Sequence, residues 1–247
     1  MRALVTGAAS GLGRQLALRL AAAGAAVTAV DRRPTKAMPG VTPWIADLGE
    51  RSEVDRLIAD LEKEPAFDWV IHNAGVSATG RFERIPETAY LKLLTLNCET
   101  PLVMTARMCQ SHRIASGGRV VFVSSLSHLT GYPGGAVYAA SKDVLAVYAR
   151  GIRTALAHRG IRTTTVFPGP VRTEHAARHA PPQASAARRM DPDALAGKII
   201  RAARRGDRVL YPGLPAKIGH VAGIVAPELA TRFMRRFVFE RLDRDVY

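Results

Sequence analysis

The sequence predicts a doubly wound α/β domain: a parallel sheet of about seven strands, helices on both faces, and a helical C-terminal extension. Three observations carry that prediction. Short apolar runs alternate with longer stretches of helical period, and a repeated strand–helix–strand order implies parallel strands buried on both faces. A glycine-rich turn, TGAASGLG at 6–13, leaves the first run and opens the first helix. The 247 residues are 47% hydrophobic and 23% charged, which suits one core-burying domain, or at most two small ones.

In chain order, ALVTG (3–7) reads as a buried strand and residues 12–23, rich in Ala and Leu, as a helix. AAVTAVD (25–31) and TPWIAD (42–47) read as the second and third strands, followed by a charged amphipathic stretch at 50–63. FDWVIHNAG (67–75) is the fourth strand, and a long helical region spans about 88–115. GRVVFVSS (118–125) is the fifth strand, residues 137–158 a helix, IRTTTVFPG (161–169) the sixth strand and VLYPG (209–213) a seventh. Two regions break the alternation: 174–193, rich in Ala, Arg and Pro, and a helical tail over 214–242 interrupted near Pro227. We therefore expect a domain over 1–213 and a tail, 214–247, packed on it. Open α/β sheets bind ligands beyond the carboxyl ends of their strands, so the following loops should hold the site.

Composition narrows the function. No run of 18 or more apolar residues suggests a membrane-spanning helix, and MRALVTGAAS enters a strand-like run at once, as expected of a chain without a signal peptide. Cys98 and Cys109 form no CxxC, so neither a disulfide framework nor a thiolate metal site is expected, and a cytoplasmic setting fits. The net charge of +14 is uneven, since residues 150–247 carry 19 Lys+Arg against 8 Asp+Glu. That excess reads as a solvated arginine-rich surface or as a tail that meets an anion. Nucleic acid is not expected, for want of zinc-finger spacing, an aromatic RNA motif or an isolated basic recognition helix.

The glycine turn has the geometry of an anion site, because backbone N–H groups and the helix dipole converge there on a phosphate. Gly7 allows the tight turn, Gly11 lets backbone approach a pyrophosphate and Gly13 permits close helix packing. Asp31 ends the next strand, 18 residues after Gly13. A carboxylate there accepts hydrogen bonds from the adenosine ribose hydroxyls and repels a 2′-phosphate, which favours NAD. Arg32 and Arg33 could instead hold that phosphate, which leaves NADP as the alternative.

Tyr138 and Lys142 in YAASK stand four residues apart, on one face of the predicted helix. TGxxxGxG at 6–13, HNAG at 72–75, Asn97, Ser125, YAASK at 138–142 and PGPVRT at 168–173 occur in one order, and together they resemble the short-chain dehydrogenase/reductase family. The resemblance covers residues 1 to about 175. It implies a three-layer Rossmann-type fold and hydride transfer between a nicotinamide cofactor and a carbonyl or alcohol carbon. It makes Tyr138 the general acid in reduction and the base in oxidation. A free phenol titrates near ~10, and an adjacent ammonium would lower that. Lys142 would also hold the nicotinamide ribose. Ser125 would polarise the substrate oxygen, with Ser124 as the alternative, and Asn97 would bind a water that relays protons. Gly7, Ser10, Gly11, Leu12 and Gly13 form the implied cofactor turn, with Asp31 and Arg32 at the ribose. Asp47 and Leu48 fall at the adenine, and Asn73, Ala74 and Gly75 support the sheet beside the adenosine. Pro168, Gly169, Val171 and Thr173 close over the nicotinamide, and a substrate loop follows at about 174–195.

Other features carry less. His175 and His179 share a helical face but lack a third ligand, so no metal is expected, although either could touch substrate. His72 and Cys98 read as structural. Glycines 219 and 223 in GHVAG suit close helix packing. In the tail Ile218, Val221, Ile224, Val225, Leu229, Phe233, Met234, Phe237 and Val238 recur at helical spacing beside Arg232, Arg235 and Arg236. That pattern packs on its own domain or a dimer partner, lies on an anionic membrane, or lids a greasy pocket. Many members of the family end instead in a glycine-rich segment that builds a tetramer. A homodimer is therefore expected over the tetramer, with an apolar or acyl-type substrate. The competing reading is a silent NAD(H) sensor that docks a partner through its basic tail.

Overall fold

The computed structural model describes residues 1–35, 38–130, 132–180, 187, 189–237, 239–241 and 245–247. Seven strands form one parallel sheet in the order β3-β2-β1-β4-β5-β6-β7. They are β1 (Arg2–Thr6), β2 (Ala26–Asp31), β3 (Val41–Ile45), β4 (Phe67–His72), β5 (Ile114–Val123), β6 (Arg162–Val166) and β7 (Val209–Leu210). The order reverses between β1 and β4, and that switch point opens a crevice at the carboxyl end. The fold is the Rossmann-like α/β architecture with a helical C-terminal region.

Side-chain alternation along the strands builds two cores. Ala3, Val5, Trp69, Ile71, Val121 and Val123 face one layer, against α1 (Gly11–Ala22) and α8 (Pro192–Arg205). Leu4, Val70, Val120 and Phe122 face the other, against α2 (Arg51–Leu61), α4 (Thr100–Gln110) and α6 (Ala136–His158). The central strands are nearly wholly buried, as a doubly covered sheet demands. Strand β3 is not, with Ile45 63% exposed, because it is the sheet edge and has a neighbour on one side only.

Several boundaries differ from expectation. The long helical region starts as α3 (Glu87–Leu94), widens into a π-helical turn over Thr95–Glu99 and ends with α4 at Gln110. His112 then takes φ 56° and reverses the chain into β5, four residues earlier than the sequence pattern suggests. Ser124 and Ser125 lie beyond β5, in the loop before α5 (Ser127–Thr130). Helix α8 had no counterpart in the sequence reading. Its signals are present all the same: Asp191 caps the N-terminus by accepting from Ala194 N at 3.0 Å, Pro192 sits in the first turn, and Gly206 closes the helix at φ 83°. Part of the expected substrate loop, 181–186 and 188, lies outside the described residues, as does Val238. The rest holds a short helix α7 (Glu174–Arg178). The tail splits into α9 (Leu214–Val225) and α10 (Pro227–Phe237) around Ala226. No helix among the described residues is long and apolar enough to cross a membrane.

One buried titratable group in the core gives a stability prediction. His72, at the end of β4, stacks on Phe122 with ring centroids 5.2 Å apart and shares a 2.9 Å hydrogen bond with Thr105 Oγ1. Burial pushes its pKa down from 6.5 to about 3. The folded state therefore refuses a proton that the unfolded chain accepts below pH 6.5. Stability falls as pH drops through that window, by about 3 kcal/mol at about pH 4.5. Urea unfolding at neutral and mildly acidic pH should show a smaller loss for His72→Asn than for the wild type.

Candidate active site

The crevice at the switch point is a cavity of about 980 Å³. Of the residues the sequence singled out for catalysis and cofactor binding, all but Gly13 and Asn97 border it. Those two stand behind the wall. A Cβ at Gly13 would come within 2.1 Å of Gly7 O and 2.5 Å of Asn73 Nδ2, so only glycine lets α1 seat against the turn. Asn73 secures the same turn from the β4 side, donating through Nδ2 to Thr6 O at 3.0 Å, while its own N–H donates to Thr6 Oγ1 at 3.0 Å.

The start of α1 has no side-chain cap at Ser10, whose hydroxyl instead accepts from Arg33 Nη2 at 2.7 Å. An uncapped helix N-terminus facing a groove is a phosphate cradle, so these residues fit the pyrophosphate of a dinucleotide. Asp31 stands beside it, its side chain 10% exposed. The carboxylate accepts from Ala9 N at 3.0 Å and from Arg33 N at 3.0 Å, which ties the turn to the end of β2. Further along, Asp47 accepts from Gly49 N at 2.9 Å, and Leu48 is buried with its carbonyl accepting from Thr100 Oγ1 at 2.8 Å.

At the other end of the groove the first turns of α6 present Tyr138 and Lys142. Ser125 stands beside the Tyr138 phenol and favours its ionised form. Ser124, the alternative left open by the sequence, turns away and donates to Lys142 O at 2.7 Å in the buried interior. Lys142 is 4% exposed, and its Nζ lies 5.7 Å from the Tyr138 ring centroid and donates to Val123 O at 3.1 Å. Burial pushes the Lys142 pKa down from 10.5 to about 8. The phenol corrects an expectation. It was to be drawn down by the ammonium, yet burial raises the Tyr138 pKa, and Ser125 opposes the rise. Desolvation is the cause, while Nζ lies over the ring and donates to a backbone carbonyl.

Asn97 is fully buried on the π-helical turn. Its Oδ1 accepts from Val76 N at 2.9 Å, and its Nδ2 donates to Val76 O and to Ser141 Oγ, both at 2.9 Å. The side chain thus clamps the segment that follows β4. Gly75 sits between Asn97 and Lys142, and a Cβ there would stand 3.1 Å from Lys142 Nζ and 3.2 Å from Asn97 Oδ1. Cys98 is buried, with Sγ 3.6 Å from Ser141 O, and burial raises its pKa.

Beyond the serine and tyrosine the cavity continues past Pro168, Gly169 and Val171 to Thr173, which caps α7 by accepting from Ala176 N at 3.1 Å. Sequence reasoning did not place Thr79 or Tyr132 at this end, where Gly219 and Met234 of the tail also line the cavity, as the lid alternative allowed. They come from segments distant in sequence, and no spacing rule links them. His175 and His179 face each other with centroids 4.7 Å apart, and His179 Nδ1 is 2.9 Å from Thr79 Oγ1. Burial pushes both pKa values down to about 4, so both rings are neutral at neutral pH. No metal-binding cluster is found among the described residues.

The family model described as short chain dehydrogenase matches residues 1–184. The chain belongs to the short-chain dehydrogenase/reductase family. It is an NAD(P)-dependent oxidoreductase, and its substrates are small-molecule carbonyl or alcohol compounds. Among relatives, an "Uncharacterized oxidoreductase" of Myxococcus xanthus is 34% identical over 183 residues, 70% of this chain and 72% of that one. The 3-oxoacyl-(acyl-carrier-protein) reductase MabA of Mycobacterium avium is 29% identical over 232 residues, 91% of this chain and 86% of the relative. A short chain dehydrogenase from Burkholderia cenocepacia, crystallised with NADP, superposes with a TM-score of 0.77 at 24% identity, covering 94% of this chain and 96% of that one. That likeness shows a shared fold. Family membership does not depend on the tail, which lies beyond the matched residues.

Proposed function

We propose that this short-chain dehydrogenase/reductase uses NAD to interconvert an uncharged, apolar or acyl-type ketone and its secondary alcohol. The observation that carries the reading is the grouping of Tyr138 and Ser125 with a buried Lys142 in the wall of a cavity that also contains the glycine turn. When bound, the nicotinamide supplies or accepts the hydride. Tyr138 gives its phenolic proton to the substrate oxygen in reduction, and in oxidation its phenolate takes that proton back. Ser125 donates a hydrogen bond to the same oxygen as charge develops there. Lys142, titrating near 8, exchanges protons at working pH and restores the phenol, with Asn97 fixing the segment after β4 that borders it. The substrate end presents Leu126, Tyr132 and Met234 together with two neutral imidazoles, an apolar lining that Arg178 and Arg189 border, which suits an apolar or acyl-type group.

Asp31 supports NAD, with NADP as the alternative. Its carboxylate faces the groove where an adenosine 2′-phosphate would lie, and like charges there repel. Asp31→Asn keeps an acceptor for Ala9 N and removes the charge, and it should raise the NADPH-to-NADH ratio of kcat/KM about tenfold or more. An unchanged ratio would count against NAD. The overall test is turnover with both coenzymes across ketosteroids, medium-chain ketones and 3-ketoacyl thioesters. Tight cofactor binding with no turnover would favour the sensor reading. A homodimer would use the outer face of α3 and α6, where Leu91, Val144 and Val147 are exposed, and sedimentation would show it.

A further inference from the structure

Helix α9 is built inside out. Its small residues face the body: Ala216 is 3% exposed, and Gly223 packs so closely that a Cβ would stand 2.8 Å from Leu129 Cβ. Its large apolar residues face away, with Ile218, Val221, Ile224 and Val225 between 57% and 77% exposed. Leu229 and Phe233 extend that apolar surface onto α10. A ring ladder fixes the orientation of α9, since Phe167 stacks on Tyr211 at 4.9 Å and Tyr211 on His220 at 4.0 Å. A helix apolar on every side needs a cover.

Charge identifies the cover. Helices α9 and α10 carry Lys217, Arg232, Arg235 and Arg236 against Glu228 alone. Arg232 and Arg235 are mostly exposed and form loose surface ion pairs, with Glu228 at 3.8 Å and Glu240 at 3.4 Å, of the kind that exchange readily for a phosphate. A second copy of the chain would meet this face through a self-complementary contact, setting like arginines together on two chains of net charge +14. A surface that is apolar inside and anionic outside matches both parts of the patch.

We propose that α9 and α10 dock the enzyme on an anionic lipid bilayer. The aliphatic stripe enters the acyl boundary and the arginines meet headgroup phosphates. Gly219 of α9 and Met234 of α10 also line the cavity, so docking places the substrate end of the site beside the lipid. The test is flotation of the full chain with phosphatidylcholine vesicles, with and without phosphatidylglycerol. At low salt the protein should float with the anionic vesicles and be released as salt rises. Replacing Arg232, Arg235 and Arg236 together by Gln should weaken binding about a hundredfold. The pair Val221→Ser and Ile224→Ser should weaken it about tenfold or more, with melting temperature and turnover of a soluble substrate unchanged. Absence of flotation at low salt overturns the proposal. So does a dimer that the serine pair dissociates while vesicle binding is absent, which would assign the face to a second copy.

Discussion

Tyr138→Phe should lower kcat about a thousandfold while leaving cofactor affinity within about twofold. The phenol borders the cavity beside Ser125, and phenylalanine preserves the ring packing against Ala78, Ile85, Leu93 and Val137. What is lost is the transferred proton. The loss should therefore fall on kcat and kcat/KM together, the pattern of an interaction made in the transition state. The folding cost is small, about 1 kcal/mol, because Ser125 Oγ still accepts from Ser127 N at 3.2 Å. Ser125→Ala should cost less, about a hundredfold, since it removes one hydrogen bond to developing charge and leaves the proton donor in place. Ser124→Ala separates position from chemistry. Its hydroxyl holds Lys142 O, so the variant should lose stability with kcat little changed. A Tyr138→Phe enzyme that kept a tenth of its turnover would sink the assignment of the proton donor.

Legibility varied with the kind of signal. Strand order could not be read from the sequence, but strand identity could, because a doubly covered sheet writes itself as uninterrupted apolar runs such as ALVT and WVIH. The edge strand β3 was found from its place in the alternation although it buries little. Helix α8 was missed because an arginine-rich, Ala-rich stretch hides a seam of Leu195, Ile199 and Ile200 that is apolar only on the inner face. At the site, residues close in sequence were legible, such as the glycine turn and the Tyr–Lys pair. Ser125 was preferred to Ser124 on the family spacing alone, since both lie past the end of β5, where strand alternation no longer decides direction. Electrostatics was the least legible. The spacing of Tyr138 and Lys142 gave their proximity, but only the buried environment shows that desolvation is the largest influence on both groups.

That imbalance makes Lys142 a residue retained against stability, and Lys142→Met should show it. In the fold its pKa is about 8, below the 10.5 of the free side chain. Between those values the unfolded chain binds the proton and the folded chain does not, so this lysine's contribution to stability rises with pH from about 8 to 10.5. Below that window it imposes a constant penalty of about 3 kcal/mol. Methionine has similar length and no charge to bury. It forfeits the hydrogen bond to Val123 O, about 1 kcal/mol, so the net gain at neutral pH is about 2 kcal/mol, or about 5 °C in Tm. The gain should shrink toward alkaline pH, where the native lysine is already neutral in both states. Tyr138, Cys98 and Cys109 have raised values and act in the opposite sense there, so the quantity to follow is the difference between wild type and variant at each pH. Turnover should fall about a hundredfold or more over the same range, because the group that resupplies the phenol is gone. A variant less stable than wild type at neutral pH would mean that the buried ammonium is compensated by contacts stronger than the carbonyl of Val123 provides.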